Sequence, residues 1–288
     1  MFQSLAVLLN ERGNRLSNNG KNPAAKRWFK WATRFSPSWS APWYNLGLIS
    51  KYACDWNDSF RYNLRAVQLN RADDAGWWNL GIAATALRNW QEAATAWRAL
   101  KINIDLSSGE VRMPTQWGCV RLDPDLQGEV VWGERLDPAR FAIKSIPLPE
   151  SGHRYGDVVL NDGAVEGTRT SNARQYSVFN ELQMFEKSRY STFEAEVTVP
   201  NESAERGLVD LFHANGLGIE DFSTIRWICS ECSRGNPGPH ECASHPSDGS
   251  RRIGFAAVVA QDVDRLLNEW RRANAGADFG EIVITLEA

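Results

Sequence analysis

A cluster of cysteine and histidine residues near the end of the chain is the part of the sequence best suited to metal chemistry. Cys229 and Cys232 are separated by two residues, a spacing at which two thiolates can bind one ion from a tight turn. Thiolate sulfur and imidazole nitrogen are ligands that Zn²⁺ prefers. The segment that follows adds three further candidate ligands: His240, Cys242 and His245. We expect a structural zinc held by Cys229, Cys232 and two of these three, in an insertion at 229–245.

Two other uses of this cluster stay open. A catalytic zinc keeps an open coordination position and needs a carboxylate base, and Glu231 and Glu241 lie between the candidate ligands. The sequence signatures of zinc deaminases and metalloproteases are absent, however. The second alternative is a loop whose thiols bind no metal.

The middle of the chain contains candidates for acid–base chemistry. His153 could serve as a base, and Asp137, Asp157 and Asp162 are carboxylates near expected turns. An aspartate before proline or glycine is also ordinary turn chemistry. No phosphate-binding loop and no nucleophile elbow accompanies these residues. We therefore expect no catalytic residues, and an enzyme site within 107–288 remains the alternative.

The overall composition is that of a soluble globular protein. The 288 residues are 43% hydrophobic and 23% charged, and the net charge is −3. This balance argues against nonspecific binding to nucleic acid, which requires many cations. No stretch approaches the roughly 20 apolar residues of a membrane span, and the apolar run at 5–9 lacks the preceding cation of a secretory signal. We expect a cytoplasmic protein with no nucleic-acid or membrane partner.

A repeated segment near the start of the chain indicates which elements form about its first 105 residues. The segment Trp43–Gly47 returns almost unchanged 34 residues later as Trp77–Gly81, and Gly13 stands 34 residues before Gly47. A fixed period of this size is typical of stacked helical units that present an extended binding surface.

The repeated segment resembles a tetratricopeptide repeat (TPR). Residues 40–73 carry the pattern with the following residues: Trp43, Leu46, Gly47, Trp56, Ser59 and Ala66. A second unit spans 74 to about 104, and a weaker first unit spans about 6 to 39. Four positions depart from the pattern: Arg12, Asn63, Arg71 and Leu100. The resemblance implies about three pairs of antiparallel helices within residues 1–106.

The resemblance also implies a concave groove lined by the first helix of each unit. Carried over by position, the partner-binding residues are Asn10, Asn14, Tyr44, Leu48, Lys51, Trp78, Ile82 and Thr85. Large aromatic side chains in such a groove are frequent hot spots of binding. The alternative is that the C-terminal part of the same chain fills the groove.

Beyond the repeats, the pattern changes to short β-type runs and then to mixed elements. Residues 107–190 predict a small β-rich, barrel-like domain. In 191–288 we expect strands at 192–199, 224–228, 252–259 and 281–286, and helices at 203–215 and 262–273. This βαββαβ order is that of a ferredoxin-like domain, interrupted by the Cys/His insertion. The predicted fold class is α + (α+β), in three domains.

The helical repeats and the absence of a catalytic motif in the sequence together favour a non-enzymatic function. We expect an adaptor or inhibitor that recognises a protein partner through the TPR groove. One specific version is a cytosolic immunity protein that neutralises a toxin. The alternative is an enzyme or a small-ligand-binding regulatory protein whose site lies in 107–288, with the repeats recruiting the substrate.

Overall fold

A computed structural model describes residues 2–126, 128–171, 173–224 and 251–288. These residues form two compact units. The first comprises 1–114 with 136–139, and the second comprises 115–135 with 140–288. In the described part of the chain, no helix combines the length and the apolar character that crossing a membrane requires.

Six helices form an array at the start of the chain. They are α1 (Phe2–Asn18), α2 (Asn22–Phe35), α3 (Ser40–Tyr52), α4 (Trp56–Leu69), α5 (Asp74–Ala86) and α6 (Trp90–Ala99). Side chains just before three of them fix where the helix begins, because each accepts a hydrogen bond from an orphan backbone N–H. These N-cap residues are Asp55 for α4, Asp73 for α5 and Asn89 for α6.

A glycine at the same position of each pair allows its two helices to pack closely. A Cβ atom on Gly81 would lie 2.5 Å from Cη2 of Trp97, so the bare backbone of α5 makes room for this ring. Gly13 makes room for Phe29 and Gly47 for Asn63 in the same way. The three side chains that fill the space stand 34 residues apart, at 29, 63 and 97.

The loops between pairs also repeat. Nε1 of Trp43 donates to the carbonyl oxygen of Pro37 at 3.1 Å, and Nε1 of Trp77 donates to that of Arg71 at 2.9 Å. The two donors are 34 residues apart in the sequence, and so are the two acceptors. The structure therefore confirms three stacked helix pairs of TPR type.

The second unit begins with a closed five-stranded barrel. Its strands are β1 (Gln116–Arg121), β2 (Val130–Asp137), β3 (Arg140–Ile143), β4 (Val158–Ser171) and β5 (Arg174–Glu186). They follow one another in chain order around the barrel, and β1 closes it by pairing in parallel with β5. Apolar side chains from alternate positions, among them Val120, Val131 and Phe179, fill the interior.

A mixed α and β segment completes the unit. It contains β6 (Ser191–Thr198), α7 (Glu202–Ala214), β7 (Gly218–Asp221), β8 (Arg251–Ala257), α8 (Ala260–Ala273), β9 (Asp278–Phe279) and β10 (Val283–Leu286). The main sheet has the order β10-β6-β8-β7 with antiparallel neighbours, and β9 adds a short pairing to β6. Residues 225–228 of the predicted strand 224–228 lie outside the described residues, and Thr224 belongs to a 3₁₀ turn after β7.

The two faces of this sheet are covered by different elements. Phe193 of β6 and Phe255 of β8 are paired and lie on one face, where α7 and α8 pack. Nε1 of Trp270 in α8 donates to the carbonyl oxygen of Ala204 in α7, which ties the two helices together. Ala256 faces the other way and packs with Ile146 from the segment between β3 and β4. The segment between β3 and β4 therefore packs against the face of the sheet that the helices leave free.

Candidate functional site

Asparagine side chains connect the first helices of the array. Nδ2 of Asn45 in α3 donates to Oδ1 of Asn10 at 3.0 Å and to Oδ1 of Asn14 at 3.1 Å, both in α1. Asn79 in α5 stands 34 residues after Asn45, so it has the same place relative to α3 that Asn45 has relative to α1. The predicted residues Asn10 and Asn14 thus belong to a row of amides that runs along the repeats.

The same repeat explains why the amide of Asn45 is hydrogen-bonded to the preceding first helix whereas Nδ2 of Asn79 is not. The positions 34 residues after Asn10 and Asn14 are occupied by Tyr44 and Leu48, which have no amide oxygen. Asn79 is buried, and among the described residues its Nδ2 finds no acceptor. A buried N–H left in this way costs about 1 to 3 kcal/mol. Nδ2 of Asn79 is therefore left without an acceptor, whereas the corresponding Nδ2 of Asn45 bonds to two amide oxygens of α1.

The remaining predicted partner-binding residues differ in exposure. Asn14 is exposed, whereas Tyr44, Leu48 and Trp78 are half-buried. The ring of Trp78 meets that of Trp97 edge-on, with centroids 5.4 Å apart. Three others are buried: Lys51, Ile82 and Thr85. The half-buried and exposed members are those that a partner reaches most readily, and use of this face stays a prediction.

His153 is held by two acceptors. Its Nε2 lies 2.8 Å from Oε1 of Glu181, and its Nδ1 lies 2.8 Å from the carbonyl oxygen of Ser151. An ionised carboxylate and a carbonyl can only accept, so both ring nitrogens donate. Burial lowers the pKa of His153, but the hydrogen bond to Glu181 and its charge outweigh burial, so that the pKa lies above the ordinary 6.5. Both ring nitrogens of His153 therefore face acceptors, an arrangement that favours the protonated ring over the neutral one.

A cavity of about 300 Å³ next to this pair contains carboxyl groups. Asp123, Glu129 and Glu150 line it, and Oδ2 of Asp123 lies 4.0 Å from Nδ1 of His153. Both carboxylate oxygens of Glu129 accept from the backbone N–H of Leu148, at 3.1 and 3.2 Å. Burial is the main cause that raises the pKa of Glu129 to about 7. The cavity thus holds one group that exchanges protons near neutral pH.

The candidate aspartates take part in turns. Oδ1 of the buried Asp157 accepts from the backbone N–H of Ser188 at 2.6 Å, and Oδ2 accepts from that of Arg154 at 2.8 Å. Oδ1 of Asp137, also buried, accepts from the N–H of Ala139 at 2.8 Å. These bonds satisfy buried backbone donors, which is a structural role.

The predicted metal ligands lie outside the described residues: Cys229, Cys232, His240, Cys242 and His245. Within the ranges that the structure describes, no three His, Cys, Asp or Glu side chains are grouped so that they could hold a metal ion. The predicted zinc therefore stays a prediction about residues 229–245.

Comparisons with known proteins concern the helical array. No family model matches the sequence, and no curated protein matches it. Among solved structures, the second TPR of Spaghetti (RPAP3) bound to an HSP90 peptide is 16% identical with a TM-score of 0.33, over 34% of this chain and 86% of that one. The Arabidopsis OM64 TPR domain is 17% identical with a TM-score of 0.33, over 35% and 84%. Yeast Tom70 is 19% identical with a TM-score of 0.34, over 37% and 22%.

Sequence reasoning missed several residues of these sites. Asn45 and Asn79 were visible at the same place of both repeated segments, and their spacing was the signal that could have assigned them to the first-helix face. Glu181 is 28 residues from His153 and gives no such signal. Its role follows only from the pairing of strands around the barrel.

Proposed function

We propose that this chain is a non-catalytic, cytoplasmic protein whose helical array binds a segment of another protein. Stacked helical repeats form extended surfaces suited to this task. The observation that carries the proposal is the row of amides on the first-helix face, in which Asn14 is exposed and Asn45 is half-buried. A bound chain has an N–H and a carbonyl oxygen at every residue, so it can bond to the exposed amide of Asn14 while Tyr44 and Trp78 contact its side chains.

The test compares three forms of the protein as bait in a lysate of the native host. Asn14→Ala should lose the partner that wild type captures stoichiometrically, because a hydrogen bond of about 1.4 kcal/mol corresponds to a tenfold change in affinity. Asn57→Ala removes an exposed amide from the second helix of its pair and should retain the partner. Equal capture by all three forms contradicts use of this face.

The melting temperatures of the same variants exclude a trivial explanation. Asn14 is exposed, and substitutions at exposed positions usually change stability by less than about 0.5 kcal/mol. Asn14→Ala should therefore melt within a few degrees of wild type, even as binding is lost. A large drop in the melting temperature would mean that Asn14 supports the fold and not a partner.

A specific version of this proposal is an immunity protein that neutralises a toxin. It requires a partner whose toxicity disappears when this chain is co-expressed. The net charge of −3 and the absence of a catalytic motif in the sequence are compatible with it.

The proposal includes two finer assignments for the C-terminal part. The strand order β10-β6-β8-β7, with antiparallel neighbours and two helices on one face, supports a ferredoxin-like domain. A structural zinc in the 229–245 insertion is the second assignment, and it rests on the ligand types and their spacing.

An enzyme or regulatory protein with its site in 107–288 is the second candidate function. The observation that favours it is the carboxyl of Glu129, whose pKa of about 7 suits a general acid or base. The surroundings of His153 speak against it, since both ring nitrogens already face acceptors within the fold. This candidate gains weight if wild type captures no protein partner.

A further inference from the structure

A cleft opens at one end of the barrel where two strands separate. β1 and β5 pair through Cys119–Arg121 and Val178–Asn180. Towards their first residues the strands diverge, and a cavity of about 450 Å³ lies between Gln116–Gly118 on one side and Arg174–Ser177 on the other. This volume is within the range of small-molecule sites, which are common in the mouths of barrels.

The floor of this cleft is apolar and aromatic. Phe179 of β5 lines it, and the guanidinium of Arg135 lies over the Phe179 ring at 4.5 Å from its centroid. Gly118 and Gly133 face each other across β1 and β2, and both leave room for the ring of Phe141. A side chain at either glycine would press on this ring, so the pair makes room for Phe141 in the barrel interior next to the cleft.

The walls of the cleft are cationic and polar. Of the ten described residues that line it, two are arginines, Arg135 and Arg174, and none is acidic. Four uncharged hydrogen-bonding side chains complete the walls: Thr115, Gln116, Gln175 and Ser177. In a chain whose net charge is −3, this local excess of positive charge favours an anionic ligand.

Aromatic rings stand at the rim. Trp117 is 55% exposed although it is one of the largest apolar side chains. On the opposite strand, Tyr176 is half-buried, and its ring meets that of Trp132 edge-on with centroids 5.0 Å apart. The guanidinium of Arg174 lies over the Tyr176 ring, 5.4 Å from its centroid. Glu134 of β2 is the cross-strand partner of Trp117, and the exposed indole offers a surface on which a planar ring can stack.

From these features we infer that the barrel mouth binds a nucleoside monophosphate. The phosphate pairs with the guanidinium of Arg174, the base stacks on Trp117, and the amides of Gln116 and Gln175 meet polar atoms of the base or the ribose. This inference is independent of the proposed function of the helical array, because it rests on residues of the second unit alone.

The experiment is isothermal titration calorimetry of the full chain with the four common ribonucleoside monophosphates and three controls: adenosine, inorganic phosphate and a hexaglutamate peptide. We expect at least one monophosphate to bind more tightly than adenosine or phosphate, since it satisfies the arginine and the indole together. Equal affinity for inorganic phosphate, or binding of a hexaglutamate peptide in place of nucleotides, overturns the inference. Absence of binding by all four monophosphates at millimolar concentration overturns it as well.

Matched variants locate the site. Arg174→Gln should weaken binding about tenfold, the effect of losing one charge-assisted hydrogen bond. Trp117→Ala should weaken it by a similar factor through loss of stacking. Arg206→Gln makes the same charge change on α7, where Arg206 has a surface ion pair with Glu202, and should leave affinity unchanged. Since Arg174 is exposed, its variant should fold, and unchanged affinity in it contradicts the site.

Discussion

At the scale of single residues, the acceptors around His153 determine what this side chain can do. The sequence suggested a base, because an isolated imidazole titrates near neutral pH. In the fold it donates to Glu181 and to the carbonyl oxygen of Ser151, and Asp123 lies 4.0 Å from Nδ1. All three neighbours favour the charged ring. The histidine therefore acts as a cationic tie between the loop before β4 and the strand β5.

The raised pKa of His153 predicts that the free energy of unfolding falls as pH rises. Because the pKa of His153 is raised above 6.5 in the fold, its stabilisation is complete below pH 6.5 and is lost as pH rises through the folded pKa. Glu129 acts in the same direction between its ordinary pKa of 4.5 and about 7. Burial also raises the pKa of Glu220 and raises the pKa of Cys119 to about 12, so the histidine is isolated by the difference between the urea titrations of wild type and of a variant of Glu181.

The matched variants are Glu181→Gln and His213→Gln. Glu181→Gln keeps an acceptor but removes the charge, so the loss of unfolding free energy above pH 7 should shrink by about 1 kcal/mol. His213 is exposed at the end of α7, and its replacement should leave the profile unchanged. A wild-type profile that is flat or rises above pH 7 would be incompatible with a charged His153.

At the scale of elements, close helix packing depends on one backbone position per repeat. Gly81 approaches the fully buried Trp97, and a Cβ atom there would collide with the indole. Asn63 takes the place of the aromatic residue in the middle pair. It fits because its Nδ2 bonds to the carbonyl oxygen of Ser59 within α4. The repeat thus tolerates a polar filler if the donor is satisfied locally.

Two glycine substitutions separate packing from helix propensity. Gly81→Ala should lower the free energy of unfolding by about 1 to 3 kcal/mol, because Trp97 must shift. Gly207 in α7 has open space around its Cβ position, so Gly207→Ala should raise it by up to about 1 kcal/mol. Denaturation monitored by circular dichroism measures both. If the two variants change stability in the same direction, the steric argument for Gly81 is wrong.

The elements that the sequence predicted well are those with a strong local period. The helices expected at 203–215 and 262–273 occur as Glu202–Ala214 and Ala260–Ala273, because their apolar faces repeat every three to four residues. β7 was not predicted. Gly218–Asp221 has little apolar alternation and becomes a strand by pairing with β8, whose partner residues are more than 30 positions away. Asn79 and Glu181 were missed for the same reason, since their roles depend on other segments.

At the scale of the whole molecule, β7 and β8 are neighbours in the sheet although about 30 residues separate them along the chain. The two strands pair residue by residue from Gly218 with Ala256 to Asp221 with Ile253. Closing a long connection between paired strands costs entropy that grows with its length. Residues 229–245 lie between these strands in the sequence, so the proposed zinc would shorten the effective loop and stabilise the sheet.

The predicted zinc can be tested on the full chain purified without a polyhistidine tag. We expect about one zinc per chain by elemental analysis, and a melting temperature that falls by several degrees when a strong chelator removes it. Cys229→Ser with Cys232→Ser should abolish the zinc and the effect of the chelator, because these two thiolates are ligands in every arrangement that we expect. Cys54→Ser changes a thiol in the helical array and should retain both. Substoichiometric zinc in wild type, or a chelator effect that persists in the double variant, would remove the metal from residues 229–245 and leave the connection without this restraint.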